Sequence, residues 1–277
     1  MALYMSQREF ELLRGFIHDR VGICFPNEKR VILQRKLAAR LNRLGLTSFN
    51  EYYRYLLYYK EGGLELRQLI NTITIDQTAF FRHPEQFEVL GNIVLPEIVT
   101  QENGTKKLRI WSAGCAKGQE AYSISMVVNE MTGGGDAWDV KILASDIDTD
   151  VLKFAYRGKY PEEYVQRIPL EYLNRYFERG TGEDSGLFFV KDTLRKKMLF
   201  RRLNLCRFDF SIKSPVDVIF CRNVMIYFDT KTTKKLIYNF FNVLKPAGFL
   251  FLGISESLFG LDERFVSLGK SVYRKKG

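Results

Sequence analysis

The stretch RIWSAGCAKGQEAYSISM, residues 109–126, decides the fold of this 277-residue chain. It begins as an apolar strand that ends at Trp111, and a turn of small residues follows at positions 112–118. The remainder has the apolar periodicity of an amphipathic helix. Small residues in such a turn let a ligand approach the backbone, and free N–H groups at the helix start can bind its polar atoms. The stretch therefore predicts a ligand site at a strand–turn–helix junction.

The spacing of Gly114 and Gly118 restricts the kind of ligand. It fits neither the GxGxxG pattern of dinucleotide-binding folds nor the GxxxxGK[ST] pattern of triphosphate-binding loops. Nicotinamide and nucleoside triphosphate sites are thus disfavoured, and another nucleoside-type ligand is favoured. By spacing alone, a junction without any ligand is an equal alternative.

The chain after about residue 106 repeats this alternation of strand and helix. Short apolar runs rich in β-branched residues are followed by helical stretches, a pattern typical of a parallel sheet with crossover helices. We therefore expect an α/β domain. The candidate strands begin at Leu108, Val140, Val216 and Gly248, and the candidate helices span residues 119–131, 149–156 and 231–243.

Residues 6–90 show the pattern of packed helices instead. Apolar residues recur at intervals of three and four, glycine is sparse, and Pro26 and Pro84 fall at apparent element ends. We expect a helical N-terminal domain, residues 1–90, in front of the sheet domain, residues 91–277.

A third pattern interrupts the sheet domain between residues 160 and 204. It contains Gly180, Gly182 and Gly186, followed by the stretch FFVKDTLRKKMLF. Glycine-rich turns beside such a stretch predict one or two β-hairpins. We expect a small antiparallel insertion at about residues 178–203.

The formal net charge of +10 favours an acidic partner, which can be nucleic acid, an anionic membrane or an acidic protein surface. Part of the positive charge lies on one predicted helix that also carries an apolar stripe. One face of this helix can pack while the adjoining face presents basic residues, although a merely solvated face is the alternative. The apolar stripe consists of Leu33, Leu37, Leu41 and Leu44, and the basic stripe of Lys29, Lys36, Arg40 and Arg43.

The cysteines and histidines predict no metal site and no disulfide. The cysteines are far apart and form no CxxC pair, and only two histidines accompany them. The cysteines Cys24, Cys115, Cys206 and Cys221 are expected to be small buried apolar residues. The two histidines are His18 and His83.

The chain shows no signal for membrane insertion or export. It contains no apolar run of the roughly eighteen residues that a membrane helix needs. Its N-terminus, MALYMSQREF, lacks the basic start and apolar block of a signal peptide. We expect a cytoplasmic protein with no direct membrane insertion, and a monomer, since nothing indicates an obligate oligomer.

Polar residues follow two further predicted strands where each strand ends. Asp146 lies in the stretch ILASDID, where a carboxylate at the end of a sheet strand can accept both hydroxyls of a ribose. Asp148 directly precedes the next helix and fits helix capping better. Arg222, Asn223 and Tyr227 follow the strand VDVIFC and are placed to contact a ligand, with capping by Asn223 as the alternative.

Together with TITIDQTAFFRHPEQF, residues 72–87, these segments resemble the chemotaxis receptor methyltransferase family, the CheR family. The similar features are the helical N-terminal domain, the FFR and W-S-A-G-C-x-x-G patterns, the S-D-I-D strand end, Asn204 with Leu205, and CRNVMIYF. They occur in the family's order over nearly the whole chain. The resemblance implies a class I S-adenosylmethionine-dependent methyltransferase fold, Rossmann-like, with a β-subdomain. It also implies S-adenosylmethionine as methyl donor, S-adenosylhomocysteine as product, and glutamates on acidic methylation helices of transmembrane chemoreceptors as acceptors.

The resemblance further implies roles for individual residues. Arg82 and Tyr227 match the catalytic residues, and the basic stripe of the N-terminal domain matches the surface that binds the substrate helix. Glu120 matches the residue that holds the cofactor's amino group, and Asp146 matches the ribose carboxylate. The remaining implied cofactor-binding residues are Asp76 and Thr78 near the methionine end, Arg82, Gly114 in the turn, Asn204 and Leu205 at the adenine region, and Arg222 with Asn223 at the strand end.

Three positions depart from the family's pattern: Asp76 where asparagine is usual, Gln119 where the family has GEE, and Ala121 where proline commonly follows. The Asp76 carboxylate would repel the cofactor's carboxylate and attract its amino group and sulfonium. Asp76 and Gln119 leave open a non-catalytic variant that binds cofactor or receptor. A nucleic-acid methyltransferase is a second alternative, but the chain has no NPPY-type, paired-cysteine or aromatic-basic RNA-binding motif, so no nucleic-acid partner is expected.

Overall fold

The computed structural model describes residues 3–58, 63–74, 76–101, 104–135, 137–207, 212 and 214–277. These residues form an all-helical N-terminal part, a seven-stranded sheet with helices on both faces, and a separate three-stranded sheet. The arrangement confirms the predicted fold class, a helical segment followed by a Rossmann-like sheet with an antiparallel β-insertion. None of the described helices combines the length and the apolar character needed to cross a membrane.

Helices and strands are numbered along the chain. The helices are α1 (Gln7–Val21), α2 (Arg30–Leu44), α3 (Phe49–Tyr58), α4 (Gly63–Ile73), α5 (Pro84–Val89), α6 (Leu95–Gln101), α7 (Gln119–Thr132), α8 (Thr149–Arg157), α9 (Glu162–Val165), α10 (Leu170–Tyr176), α11 (Asp192–Arg195) and α12 (Thr230–Val243). The strands are β1 (Lys107–Ala113), β2 (Asp139–Asp146), β3 (Lys159–Pro161), β4 (Phe177–Arg179), β5 (Leu187–Val190), β6 (Met198–Arg202), β7 (Val216–Cys221), β8 (Leu244–Leu252), β9 (Phe265–Gly269) and β10 (Val272–Lys275).

The large sheet has the strand order β6-β2-β1-β7-β8-β10-β9. The strands from β6 to β8 in this order pair in parallel, whereas β10 pairs antiparallel with both of its neighbours. Every residue of β7 is buried, because helices cover both faces of the sheet. The chain runs outward from β1 to β2 and β6 and then returns to β7 on the other side of β1. The carboxyl end of β1 is therefore a topological switch point, where open α/β sheets bind ligands.

The four predicted strands are confirmed as β1, β2, β7 and β8. The antiparallel insertion, expected at residues 178–203, begins and ends earlier: it includes β4 and β5 as expected, but its third strand is β3, which begins at Lys159, and it ends at Val190. The prediction that the hairpin extends through residue 203 is wrong for β6. This strand pairs in parallel with β2 of the large sheet, where Met198 lies opposite Ile142. A short charged strand has the same local pattern in both pairings, so only the tertiary contact distinguishes them.

The N-terminal helices α1–α4 enclose a core of their own. Leu33, Leu37 and Leu41 on α2 are fully buried against Phe10 and Leu13 of α1, which confirms most of the predicted apolar stripe. The fourth member of the stripe, at position 44, is only partly buried. A leucine at every fourth position thus directs one face of α2 into this core.

The boundary expected at residue 90 falls inside a continuous helical stretch. Helix α5, a π-helical turn at Leu90–Val94 and helix α6 follow one another without a break. Phe87, Leu90 and Val94 bury their side chains against the large sheet, not against α1–α4. Residues 84–90 therefore lie with the sheet.

The basic stripe of α2 divides into two kinds of residue. The Lys36 ammonium donates hydrogen bonds to the carbonyl oxygens of residues 72, 73 and 74 at distances of 3.3, 3.1 and 2.9 Å, and so caps the end of α4. The Arg40 guanidinium forms a two-pronged ion pair with the buried Glu65 carboxylate, which also accepts the Tyr52 hydroxyl. Lys29 and Arg43 are exposed. Lys36 and Arg40 thus already have partners within the fold, whereas Lys29 and Arg43 present exposed basic surface; substrate binding by the four residues stays a prediction.

We expect Glu65→Ala to lower the free energy of unfolding by about 3–5 kcal/mol, because it leaves the Arg40 guanidinium buried without its partner. Arg43→Ala, on the same helix but exposed, is the matched control and should change it by less than about 0.5 kcal/mol. Urea denaturation of the full-length protein measures both values. Equal, small effects of the two variants would contradict a buried ion pair.

Candidate active site at the carboxyl edge of the sheet

A cavity opens at the carboxyl ends of β1, β2 and β7, and the segment from α1 to α2 closes its far side. The structure brings all ten predicted cofactor-binding residues and Tyr227 to its walls. Of the predicted substrate-binding residues, Lys29 and Lys36 line it, whereas Arg40 and Arg43 do not. The predicted residues that line the cavity are Asp76, Thr78, Arg82, Gly114, Glu120, Asp146, Asn204, Leu205, Arg222, Asn223 and Tyr227.

The turn after β1 requires its two glycines. Gly114 has a φ of +86°, and a β-carbon there would lie 2.4 Å from a Val224 methyl carbon. Gly118, at the start of α7, has a φ of +88°, and a β-carbon would lie 2.7 Å from that of Ala155. Both positions therefore exclude side chains, and at Gly114 the backbone itself lines the cavity.

The Asp146 carboxylate forms the wall at the end of β2. Its two oxygens accept the Ala116 N–H at 2.9 Å and the Asp148 N–H at 3.0 Å. Burial raises the pKa of Asp146 to about 6, although these backbone donors oppose the shift. Asp148 caps α8 by accepting two backbone N–H groups, which confirms its predicted structural role.

A buried acid–base pair lies between α7 and β7. The Glu120 carboxylate accepts the Ser112 hydroxyl at 2.7 Å and lies 3.4 Å from an Arg222 guanidinium nitrogen. Burial raises the pKa of Glu120, and the positive charge of Arg222 opposes this shift. The guanidinium also donates to the Arg82 carbonyl and lies over the Phe87 ring, 5.6 Å from its centre. Arg222 thereby joins α7, β7 and the segment that carries Arg82.

Arg82 lies on a strap, residues 76–83, that crosses the edge of the cavity. Phe81 and His83 on either side of it have positive φ values of 49° and 60°, so the backbone reverses sharply at this point. Phe80 is fully buried in the aromatic core of the β-insertion, and the Phe81 N–H donates to the Ser123 hydroxyl. These contacts fix the strap on both sides of Arg82.

Tyr227 lines the same cavity as Arg82 and lies in the turn after β7. Its carbonyl accepts the Cys24 N–H at 2.8 Å, which joins this turn to the helical domain. Burial raises the pKa of the Tyr227 phenol, so the hydroxyl is protonated at neutral pH. A protonated phenol can donate a hydrogen bond to an acceptor carboxylate.

Asp76, which replaces the family's usual asparagine, forms an ion pair with a lysine in the loop before α7. The Lys117 ammonium lies 2.8 Å from the Asp76 carboxylate and lowers its pKa. Gln119, the second departure, is buried and neutral, so it adds no charge beside Glu120. The charge that Asp76 adds to the site is thus balanced within the protein.

Asn204 and Leu205 reach the cavity from the loop after β6. The Asn204 amide donates to the Arg20 carbonyl at 2.8 Å, and its oxygen accepts the Cys206 N–H at 3.0 Å. Leu205 is buried. Asn204 therefore joins the helical domain to the sheet, a contact that the sequence did not indicate.

Sequence reasoning missed Glu256, which organises the turn after β7. Its buried carboxylate accepts the N–H groups of Asn223, Val224, Met225 and Ile226 at 2.9, 3.0, 2.8 and 3.3 Å. It also accepts the Gly253 N–H at 2.6 Å. The sequence signal for it is an acidic residue four positions after the end of the apolar strand β8, where a buried charge would need several donors.

Comparison with known families covers nearly the whole chain. Residues 8–74 match the model of the CheR methyltransferase all-alpha domain, and residues 76–274 match that of the CheR methyltransferase SAM binding domain.

The chain belongs to the CheR methyltransferase family.

Its relatives include the chemotaxis protein methyltransferase of Escherichia coli, 38% identical over 98% of this chain and 92% of the relative. Chemotaxis protein methyltransferase 2 of Pseudomonas aeruginosa is 37% identical over 98% of this chain and 94% of its own. The Borreliella burgdorferi chemotaxis protein methyltransferase is 36% identical over 92% of this chain and 90% of its own.

As a member of the CheR family, the chain is an S-adenosylmethionine-dependent methyltransferase. The cavity fits this cofactor chemically. Asp146 offers carboxylate oxygens for ribose hydroxyls, Glu120 offers a negative charge for an amino group, and Gly114 lines the cavity with backbone alone.

We expect Glu256→Ala to lower the free energy of unfolding by about 3 kcal/mol or more, because several buried N–H groups lose a charged acceptor. The variant should also bind S-adenosylhomocysteine more weakly, since Asn223 is no longer held. Glu263→Ala, an exposed glutamate in the same region, is the control and should leave both properties unchanged. Urea denaturation and calorimetric titration measure the two effects, and native values for Glu256→Ala would refute this role.

Proposed function

We propose that this chain transfers the methyl group of S-adenosylmethionine to glutamate side chains of chemoreceptors, forming methyl esters and S-adenosylhomocysteine. The observation that carries this proposal is the convergence of Arg82, Glu120, Asp146 and Tyr227 on one cavity at the switch point of the sheet. The names of the relatives, chemotaxis protein methyltransferases, support the acceptor class.

The reaction requires alignment more than acid–base catalysis. A glutamate carboxylate is already ionised near neutral pH, so no base is needed. One carboxylate oxygen forms a bond to the methyl carbon, the carbon–sulfur bond breaks, and its electron pair leaves the sulfur neutral. Alignment of the oxygen, carbon and sulfur at an attack distance of about 3–3.5 Å supplies much of the rate.

The residues of the cavity divide this task. We assign the ribose hydroxyls to Asp146, the amino group of the methionine end to Glu120, and the adenine region to the loop at Asn204 and Leu205. Arg82 and Tyr227 orient the acceptor carboxylate, Arg82 by its charge and Tyr227 by its hydroxyl. Thr78, Gly114, Arg222 and Asn223 complete the cofactor walls.

The helical domain is proposed to recognise the receptor. Lys29 remains available to an acidic methylation helix, since it is exposed and lies on the rim of the cavity. Ile32, about half exposed, lies on the same rim and offers an apolar contact. We propose that the protein acts as a monomer in the cytoplasm, with its net charge of +10 attracting the acidic substrate.

Incubation with radiolabelled S-adenosylmethionine and receptor-containing membranes tests this function. We expect a base-labile methyl ester on receptor protein. Stable label on added RNA would support a nucleic-acid methyltransferase instead, and cofactor binding without label would support a non-catalytic variant.

In the same assay, Arg82→Ala should reduce methyl transfer at least about 100-fold with little change in thermal unfolding, because the acceptor loses its orienting charge. Arg157→Ala is the control, since Arg157 is exposed at the end of α8, away from the cavity. Turnover close to normal in Arg82→Ala would remove Arg82 from the mechanism.

The pairing of Asp76 with Lys117 gives a separate prediction. Lys117→Ala should weaken S-adenosylhomocysteine binding about tenfold, because the uncompensated Asp76 repels the ligand's carboxylate. Adding Asp76→Asn to Lys117→Ala should restore most of the affinity. Calorimetric titration of both single variants and the double variant measures the coupling, and additive effects would exclude charge compensation.

A further inference from the structure

His18, Cys24 and Asp229 meet where the helical domain contacts the sheet domain. One ligand atom from each lies within 4.8 Å of the other two. His18 lies near the end of α1, Cys24 lies in the turn after it, and Asp229 precedes α12. The side chains of His18 and Asp229 are 41% and 37% exposed, and Cys24 is partly buried. An ion from solvent can therefore reach all three.

The two ring nitrogens of His18 both face carboxylates. Its Nε2 atom faces the cluster, 2.7 Å from an Asp229 oxygen. Its Nδ1 atom faces the Asp19 carboxylate at 3.5 Å. Histidines that bind zinc usually donate their second ring nitrogen to such a carboxylate, which fixes the tautomer and strengthens the ligand.

The Asp229 carboxylate has its two oxygens in separate roles. Oδ1 accepts the Thr232 N–H at 2.6 Å and caps α12. Oδ2 faces His18 and is the oxygen that can bind an ion. Binding of an ion through Oδ2 therefore leaves the helix cap intact.

We propose that His18, Cys24 and Asp229 form a binding site for a zinc-like divalent transition metal. One nitrogen, one sulfur and one oxygen ligand suit Zn²⁺, which binds these donors in tetrahedral geometry. Cys206 packs against Gly22 but lies outside the cluster, so solvent supplies the fourth ligand. The sequence predicted no metal site because the three ligands become neighbours only in the folded chain.

Metal binding here has a structural consequence near the active site. The Cys24 N–H already donates to the Tyr227 carbonyl, two residues before Asp229. A metal would add a second connection between the same two segments. It should therefore stabilise the contact between the helical domain and the turn that carries Tyr227. The argument for this site does not rest on the proposed methyl transfer.

Titration of the reduced full-length protein with Co²⁺ tests the site. We expect one Co²⁺ per chain, visible bands of tetrahedral cobalt, a thiolate-to-cobalt band in the near ultraviolet, and displacement of the Co²⁺ by Zn²⁺. Zinc should also raise the thermal unfolding temperature. The absence of stoichiometric binding, or a spectrum without the thiolate band, would overturn the proposal.

Variants identify the ligands. Cys24→Ser, His18→Asn and Asp229→Asn should each weaken Zn²⁺ binding at least about 100-fold, measured against a chromophoric chelator, and Asp19→Asn about tenfold. Cys206→Ser and His83→Asn are the matched controls and should bind as the unmodified protein does. Melting curves of every variant without metal confirm that it is folded. Unchanged affinity in Cys24→Ser, or loss of binding in a control, would contradict this assignment.

Discussion

The buried guanidinium of Arg222 is the constraint on which the active site depends. It contacts Glu120 at the start of α7, the Arg82 carbonyl on the strap, and the face of Phe87 on α5. A charge in this environment is stable only while its partners remain in place, because water cannot replace them. The start of α7, the carboxyl end of β7 and the strap are therefore held together at this wall of the cavity.

The parts of the fold that the sequence predicts are those encoded by contiguous residues. The strand, small-residue turn and helix at residues 107–132 show their periodicity and glycines within one stretch. Asp146 and Arg222 are recognisable because each directly follows a buried strand. In an open parallel sheet, the carboxyl ends of neighbouring strands lie at the same edge. The order of the strands therefore places these residues around one cavity.

The parts that the sequence does not predict depend on partners distant along the chain. Nothing local to β6 indicates that it pairs with β2. Glu256 accepts hydrogen bonds from a turn about thirty residues earlier in the chain. Lys117, which pairs with Asp76, lies forty-one positions after it. Arg40, on an apparently free basic stripe, is bound by Glu65 on a different helix. Helical periodicity describes the face on which a side chain lies, but not what that face meets.

The Lys36 cap joins α2 to the end of α4, just ahead of the strap that carries Arg82. Its ammonium binds the last three carbonyls before the chain leaves the helical domain, two residues ahead of Asp76. The Thr74 hydroxyl, at the same point, donates to Asp148 at the end of β2. A tilt of α2 would therefore shift the chain just before Asp76 and, through Thr74, the segment at Asp148. Both segments line the cavity, so a force on the outer face of the helical domain has a short path to the cavity wall.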